Sequence, residues 1–533
     1  MKLCIGLFTT ILLALSNSCI ENNVPYPVTK IEILSIEGEG FTVASGDIDT
    51  KNHVATLHLD ETTDISKVVI KKVVITENGK SSIPLEGTFD LRSPISVTLS
   101  LYQNYEWTIV AQQTITRTFA IEGQVGQSEF DLAARTATAY VPKKTDLKAI
   151  KVTALKLGPR EITTMNPTME ELTDFTSVRY VDLTYHTFKE RWRLYVVPTD
   201  VSVRFTQADA WAKIVWLTAA GQSGAKMGFR YRLSGSENWL EIPQEQITIQ
   251  GGSFSTKVTG LTPATSYDFE AYANDEHSPV TTLTTEEMQT LINGGFEAWS
   301  VAGKIVYPYA EGETPYWSTG NPGAKIASIT LTEATDDIRP GSAGHAAAQL
   351  KSQFANIVGI GKFAAGNIFL GTYVKTDGTN GIVDFGRPFK SHPTTLHGWV
   401  KYTCGTIDKV LKMPAGTTLT LGDPDNGMIY IALGDWDPAV YGGTAESPVQ
   451  VRTRAIEETY FDPHGPAVIA YGEMPLNKSI EKWTEFSVEL QYNSTSRVPT
   501  HIMIVCSASR WGDYFTGSTQ SVMWVDDLEL RYE

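Results

Sequence analysis

The chain has 533 residues, with 60 Asp and Glu against 44 Lys and Arg, a formal net charge of −16. No basic tract or aromatic-plus-basic stripe stands against that charge, which excludes nucleic acid and acidic membrane surfaces as partners. The length exceeds what one hydrophobic core organises, so several domains are expected.

Residues 1–18 read as an export signal: Lys2, an apolar run from Leu3 to Leu15, then Ser16-Asn17-Ser18 before Cys19. The run is too short to span a bilayer, and Cys19 falls where a lipoprotein signal peptidase would leave an acylated N-terminus. Lipidation at Cys19 is expected, with simple secretion as the alternative, and residues 19–30 form the tether. No later stretch reaches the ~20 apolar residues of a membrane helix. Cys404 and Cys506 lie in alternating apolar runs and read as buried thiols in preference to a bridge.

Beyond the tether the apolar segments are short, alternate with period two, and are punctuated by Gly, Asn, Asp or Pro, so the chain reads as all-β. Asp49 to Leu59 and Asp64 to Val73 are answered by Asp131 to Val141 and Asp146 to Leu155, a shift of 82 residues (146 − 64). Two tandem immunoglobulin-like sandwiches, 31–119 and 120–200, follow from that repeat, with Trp107 and Trp192 as core plugs. Residues 201–287 resemble a fibronectin type III domain through Ile214-Val215-Trp216, Phe229 to Arg232, Trp239 and Leu261-Thr-Pro263-Ala-Thr-Ser-Tyr267. In that last motif the tyrosine hydroxyl bonds upstream backbone and closes a corner. All three units read as spacers.

Residues 288–533 change character, with longer loops and seven of the twelve Trp. Asn293-Gly-Gly-Phe-Glu297-Ala-Trp299 at the start and Val522-Met-Trp-Val-Asp526-Asp527 at the end resemble the jelly-roll carbohydrate-binding modules of glycan-degrading enzymes. That resemblance implies adjacent first and last strands and a structural Ca²⁺ held by Glu297 and one of Asp526 or Asp527, the alternative being carboxylates capped by backbone amides.

A fuller set of segments, Trp317-Ser-Thr-Gly-Asn321, Phe385-Gly-Arg-Pro-Phe389, Gly398-Trp-Val-Lys-Tyr402, Thr495 to Thr500 and Ser507 to Ser518, resembles a lipoprotein family of Bacteroidetes, the putative carbohydrate metabolism domain. The resemblance implies a jelly roll with a carbohydrate-related role, an outer-membrane anchor facing the cell exterior, and other glycan-uptake proteins as partners. The fold class is therefore immunoglobulin-like and fibronectin type III-like sandwiches followed by a larger jelly roll.

Sugars are held by aromatic faces and by planar groups that bond paired hydroxyls, so clusters of those types on Gly-rich loops are the candidate sites. Arg510-Trp511-Gly512-Asp513-Tyr514-Phe515 leads, with Asp435-Trp436-Asp437 and Trp317 to Asn321 behind it. His392 is a further loop residue that could line the site. Asp423-Pro-Asp425-Asn-Gly427 begins like an EF-hand loop but has Gly434 where the twelfth position needs Glu. No nucleophile elbow, zinc-protease or phosphate-loop motif occurs. Glycan capture at the cell surface is the leading reading. A glycoside hydrolase using a carboxylate pair of the same loops and a protein-binding adhesin or stalk are the alternatives.

Overall fold

The computed structural model describes residues 31–533 apart from 45, 51, 201–202, 358–359, 414–416, 418 and 454–459. The signal segment 1–18, Cys19 and the tether 19–30 thus lie outside the described residues. Among the described residues no helix is long and apolar enough to cross a membrane. They fall into two compact units, one reaching to Leu57 and including Ser66–Ala111, the other made of His58–Ile65 and Gln112–Glu533.

In the first unit Val68–Ile75 pairs with Ile33–Glu39 and Gly87–Phe89, and a second sheet contains Val54–Leu59 and Ile95–Ser100. Alternation explains the core: Val97, Leu99 and Trp107 are buried while Glu106, beside Trp107, faces out. The Trp107 indole donates to the Ile31 carbonyl at 3.1 Å.

The 82-residue repeat reappears as strand positions, Val54–Leu59 answering Thr136–Pro142 and Val68–Ile75 answering Val152–Lys156. Trp192 fills the second sandwich as Trp107 fills the first, at 1% and 0% exposure, so both are plugs. The third sandwich sets Arg204–Ala210, Val215–Ala220, Ser253–Val258 and Ile247–Gln250 against a sheet centred on Met227–Leu233 and Ser266–Ala273. Its corner closes through Tyr267, whose hydroxyl accepts from Thr262 N at 3.1 Å.

Two joints hold these modules within the second unit. Gly126 N donates to Gly221 O at 3.0 Å and Ser223 N to Gln124 O at 2.5 Å, joining the second sandwich to the third. Trp211 of the third sandwich donates to Thr495 O at 2.9 Å and stacks on His392. His392 is 2% exposed and bonded to Glu286 and to the Arg497 carbonyl, so it belongs to this joint instead of a ligand site.

The last 240 or so residues form an antiparallel jelly roll. Its larger, nine-stranded sheet runs in the order Val449–Arg452, Asn380–Phe385, Asn367–Asp377, His501–Ser507, Gly427–Gly434, Val468–Leu476, Gln491–Tyr492, with two short flanking strands. The smaller runs Thr332–Thr335, Ala347–Lys351, Val522–Arg531, Thr395–Thr403, Ile480–Glu489. Ile368, Leu370, Ile429, Ile431, Leu433, Ile502 and Ile504 fill the space between them. The start and end of the domain meet, since Leu528 N donates to Gly294 O at 2.9 Å, although the start is a turn and not a strand.

One departure from alternation matters for function. His501–Ser507 is buried on both faces except at its last residue, and Gly427–Gly434 except at Tyr430. A sheet buried on both faces carries something on its outer side. Here that layer is a second apolar cluster with Phe369, Val383, Phe385, Met503, Val505 and Trp436, packed by Tyr430, Tyr460, Phe461 and Tyr471.

Candidate glycan site

The outer face of the nine-stranded sheet holds a cavity of about 210 Å³. Its floor is Phe369, Val383, Phe385, Met428, Tyr430, Val505 and Ser507, all sheet residues. Its walls come from the loop 509–515, the hairpin Gln353–Ile357 with Ile360–Ala364, and the turn at Gly320–Ala324. Rings thus surround the space while a few polar groups enter it, the composition expected of a small-ligand site.

The 509–515 loop is held from below by Asp425, a carboxylate with no exposure. One of its oxygens accepts from Ser509 Oγ at 2.7 Å, Ser518 N at 2.8 Å and Ser521 Oγ at 2.7 Å, and the other from Asn426 N at 2.8 Å. Burial still pushes its pKa up, against those donors. The residue that opens like an EF-hand is therefore a hydrogen-bonding hub. Glycine is required at Gly512, where a Cβ would stand 2.5 Å from the Ala365 methyl. Phe515 then takes a left-handed φ of 55°, ending the turn.

Two of the loop's expected ligand residues reach the cavity. Asp513 and Arg510 line it, together with Phe515. Burial alone raises the Asp513 carboxyl to about 6, and its side chain has no hydrogen-bond or ion-pair partner among the described residues. The Arg510 guanidinium lies 5.0 Å over Trp511 and 3.4 Å from Glu473. Lys362, from the hairpin, lies 3.9 Å over the Phe515 ring and donates to Asn380 Oδ1 at 2.9 Å, and burial lowers its pKa.

The other expected residues are placed differently. Tyr514 is buried beneath the loop, edge-on to Trp511 and to Tyr460, and neither it nor Trp511 lines the cavity. Trp317 has no exposure and donates to Ile292 O at 2.7 Å, so it is a core residue of the sandwich and no platform. Asn321 is 2% exposed, and its amide is spent on Val306 O, Thr332 O, Leu331 N and Thr332 N. Trp436 is 3% exposed, wedged against Phe461 in the outer cluster. Asp435 pairs with Arg497 at 2.7 Å away from the cavity lining, and Asp437 caps the short helix Pro438–Tyr441.

The carboxylates assigned to calcium each have protein partners. Glu297 accepts from His345 N at 2.8 Å and Ala346 N at 3.2 Å. Asp526 accepts from Arg339 N at 3.0 Å and Asp527 N at 2.8 Å, while Asp527 is paired with the Arg339 guanidinium at 2.5 Å. With an arginine already on Asp527 and amides on the other two, the set fits a carboxylate clasp and not the six to eight oxygens a calcium ion takes. Among the described residues no three His, Cys, Asp or Glu side chains group as a metal centre. Cys404 and Cys506 are free thiols.

Sequence missed the floor and the hairpin. Phe369, Phe385 and Tyr430 sit in strands that read as ordinary sandwich core, and Lys362 comes from a stretch nearly 150 residues before the loop it joins. The available signal was the unbroken apolar run Ile502-Met-Ile-Val-Cys506, which marks a strand covered on both sides.

Residues 295–531 match the family model described as "Putative carbohydrate metabolism domain", so the chain carries a domain of that family at its C-terminal end. No curated protein matches the chain. Among solved structures, a putative glycoside hydrolase from Bacteroides thetaiotaomicron is 16% identical, covering 78% of this chain and 96% of its own at a TM-score of 0.30. One from Bacteroides vulgatus is 21% identical over 45% and 97%, with a TM-score of 0.33. SGBP-B of the Bacteroides ovatus mixed-linkage glucan utilization locus, in complex with a mixed-linkage heptasaccharide, is 10% identical over 89% and 100%, with a TM-score of 0.18. These likenesses are too distant to bear on function.

Proposed function

We propose that the protein is an exported, lipid-anchored glycan-binding protein of the outer membrane that captures carbohydrate in the cavity on the outer face of the jelly roll's larger sheet. The observation that carries this reading is the cavity's make-up. Phe363, Phe369, Phe385, Tyr373 and Phe515 contribute aromatic side chains to its lining, and Asp513 and Asn367 contribute polar side chains among them. Sugars need both, a flat C–H face against a ring and hydroxyls bonded by planar groups.

Binding is favoured over hydrolysis by the carboxylate count. A glycosidase sets two carboxyl groups about 5 to 9.5 Å apart across its substrate, and among the described lining residues Asp513 is the only carboxylate. Cys19 anchors the lipid in this proposal, and the three sandwiches are the spacers that separate it along the chain from the jelly roll. A glycan array probed with the whole chain, followed by a reducing-end assay on each hit, tests it. Retention without cleavage supports capture; cleavage would replace it with hydrolysis, and silence on the array would overturn both.

A further inference from the structure

The cavity contains a cation whose charge no carboxylate of the described residues meets. Lys362 enters from the hairpin wall with its ammonium over the Phe515 ring and one bond to a neutral amide oxygen, Asn380 Oδ1. Half-burying an ammonium without an anion is unfavourable, and a cation–π contact offsets only part of that cost. The other cation of the lining, Arg510, already faces Glu473. Asp513 stands free of Lys362, since no ion pair joins them, and its carboxylate waits for donors and not for an anion.

Resting on the glycan reading above, we infer that the bound sugar carries an anionic group, a ring carboxylate or a sulfate ester, that pairs with Lys362 while ring hydroxyls donate to Asp513. Both polar groups then gain the partner each lacks, and the aromatic floor takes the C–H face. The volume bounds the ligand as well. At about 210 Å³ the cavity is smaller than the roughly 300–1,000 Å³ of sites for drug-sized molecules, so it takes one acidic ring, with the remainder of a chain outside.

The test is calorimetric titration of the whole chain with uronate oligomers, the same oligomers methyl-esterified, and sulfated and desulfated versions of one neutral oligosaccharide. Expected is at least tenfold tighter binding of one acidic form than of its neutral partner. Lys362→Met should bring that ratio to within about twofold, and Lys362→Arg should retain it. Equal affinity for acidic and neutral forms, or a ratio unmoved by Lys362→Met, overturns the inference and leaves glycan capture standing. Failure of every sugar tested here and on the array overturns the glycan reading and this inference with it. If Lys362→Met unfolds the chain, the Lys362→Gln variant and the salt dependence of the wild-type ratio serve instead. A ratio that does not fall between low and high salt counts against charge pairing.

Discussion

Ser509 donates a 2.7 Å hydrogen bond to the buried carboxylate of Asp425, and that contact ties the loop bearing Asp513 to the segment that leads into the sheet's Gly427–Gly434 strand. Asp425 gathers three more donors from Ser518, Ser521 and Asn426. Removing it strands all of them in a dry interior. Asp425→Ala should cost about 3–5 kcal/mol and abolish ligand binding. Thermal melts and titration at a temperature where the variant remains folded check both parts, and an intact Kd there would show that the loop holds its shape without this hub.

Asp513 gives a pH dependence of definite sign. The folded carboxyl titrates near 6 because burial penalises its charge, whereas an unfolded Asp titrates near 3.9. The fold therefore holds the proton more tightly, and the charge costs stability as pH rises from about 4 through 6. That loss is at most about 3 kcal/mol, less for the screening that water in the cavity provides. Asp513→Asn should lack it. Urea midpoints at pH 4.5 and 7.5 should show wild type losing ground to the variant at the higher pH, and parallel profiles would place the Asp513 titration near its unfolded value.

Aromatic residues that the sequence groups together as site candidates should behave differently from one another. Trp317→Ala and Trp436→Ala remove buried rings, so each should cost about 3–5 kcal/mol and leave the Kd of the folded protein unchanged. Phe515→Ala should weaken sugar binding with a smaller stability loss, because that ring borders the cavity. Denaturant melts and titrations on the same preparations separate the two patterns.

The Trp211 and His392 rings stack at 4.9 Å and 4° across the joint between the third sandwich and the jelly roll. Trp211→Ala also deletes the bond to Thr495 O. Limited proteolysis should then cut faster around residues 285–290, with glycan affinity unaffected. An unchanged cleavage rate would mean that Asp209, Thr495 and Gln207 hold the joint alone.

The Glu297, Asp526 and Asp527 clasp gives a metal prediction. Because Arg339 supplies the cation, chelator should leave the melting temperature in place and Arg339→Ala should lower it by several degrees. A fall on chelation, restored by Ca²⁺, would put an ion where the guanidinium stands.

Period-two alternation and the 82-residue repeat made the sandwiches legible, and a single motif placed Tyr267 in its corner, because those features are local. The position of the 509–515 loop was legible for a related reason: Gly512 and Gly517 break the strand pattern between Ser507 and Ser521. Trp317, Asn321 and Trp436 misled because a turn beside a strand can face either inward or outward, and only tertiary contacts decide which. The cavity's floor and Lys362 were hidden because they arise where strands distant in sequence lie side by side.

The most direct test of the account is glycan binding by the whole chain and by its Asp513→Ala and Phe515→Ala variants, each verified as folded by its melt. The account predicts saturable sugar binding by wild type that both variants lose by tenfold or more. Binding that survives both substitutions would contradict it, by placing the site elsewhere than on the outer face of this sheet.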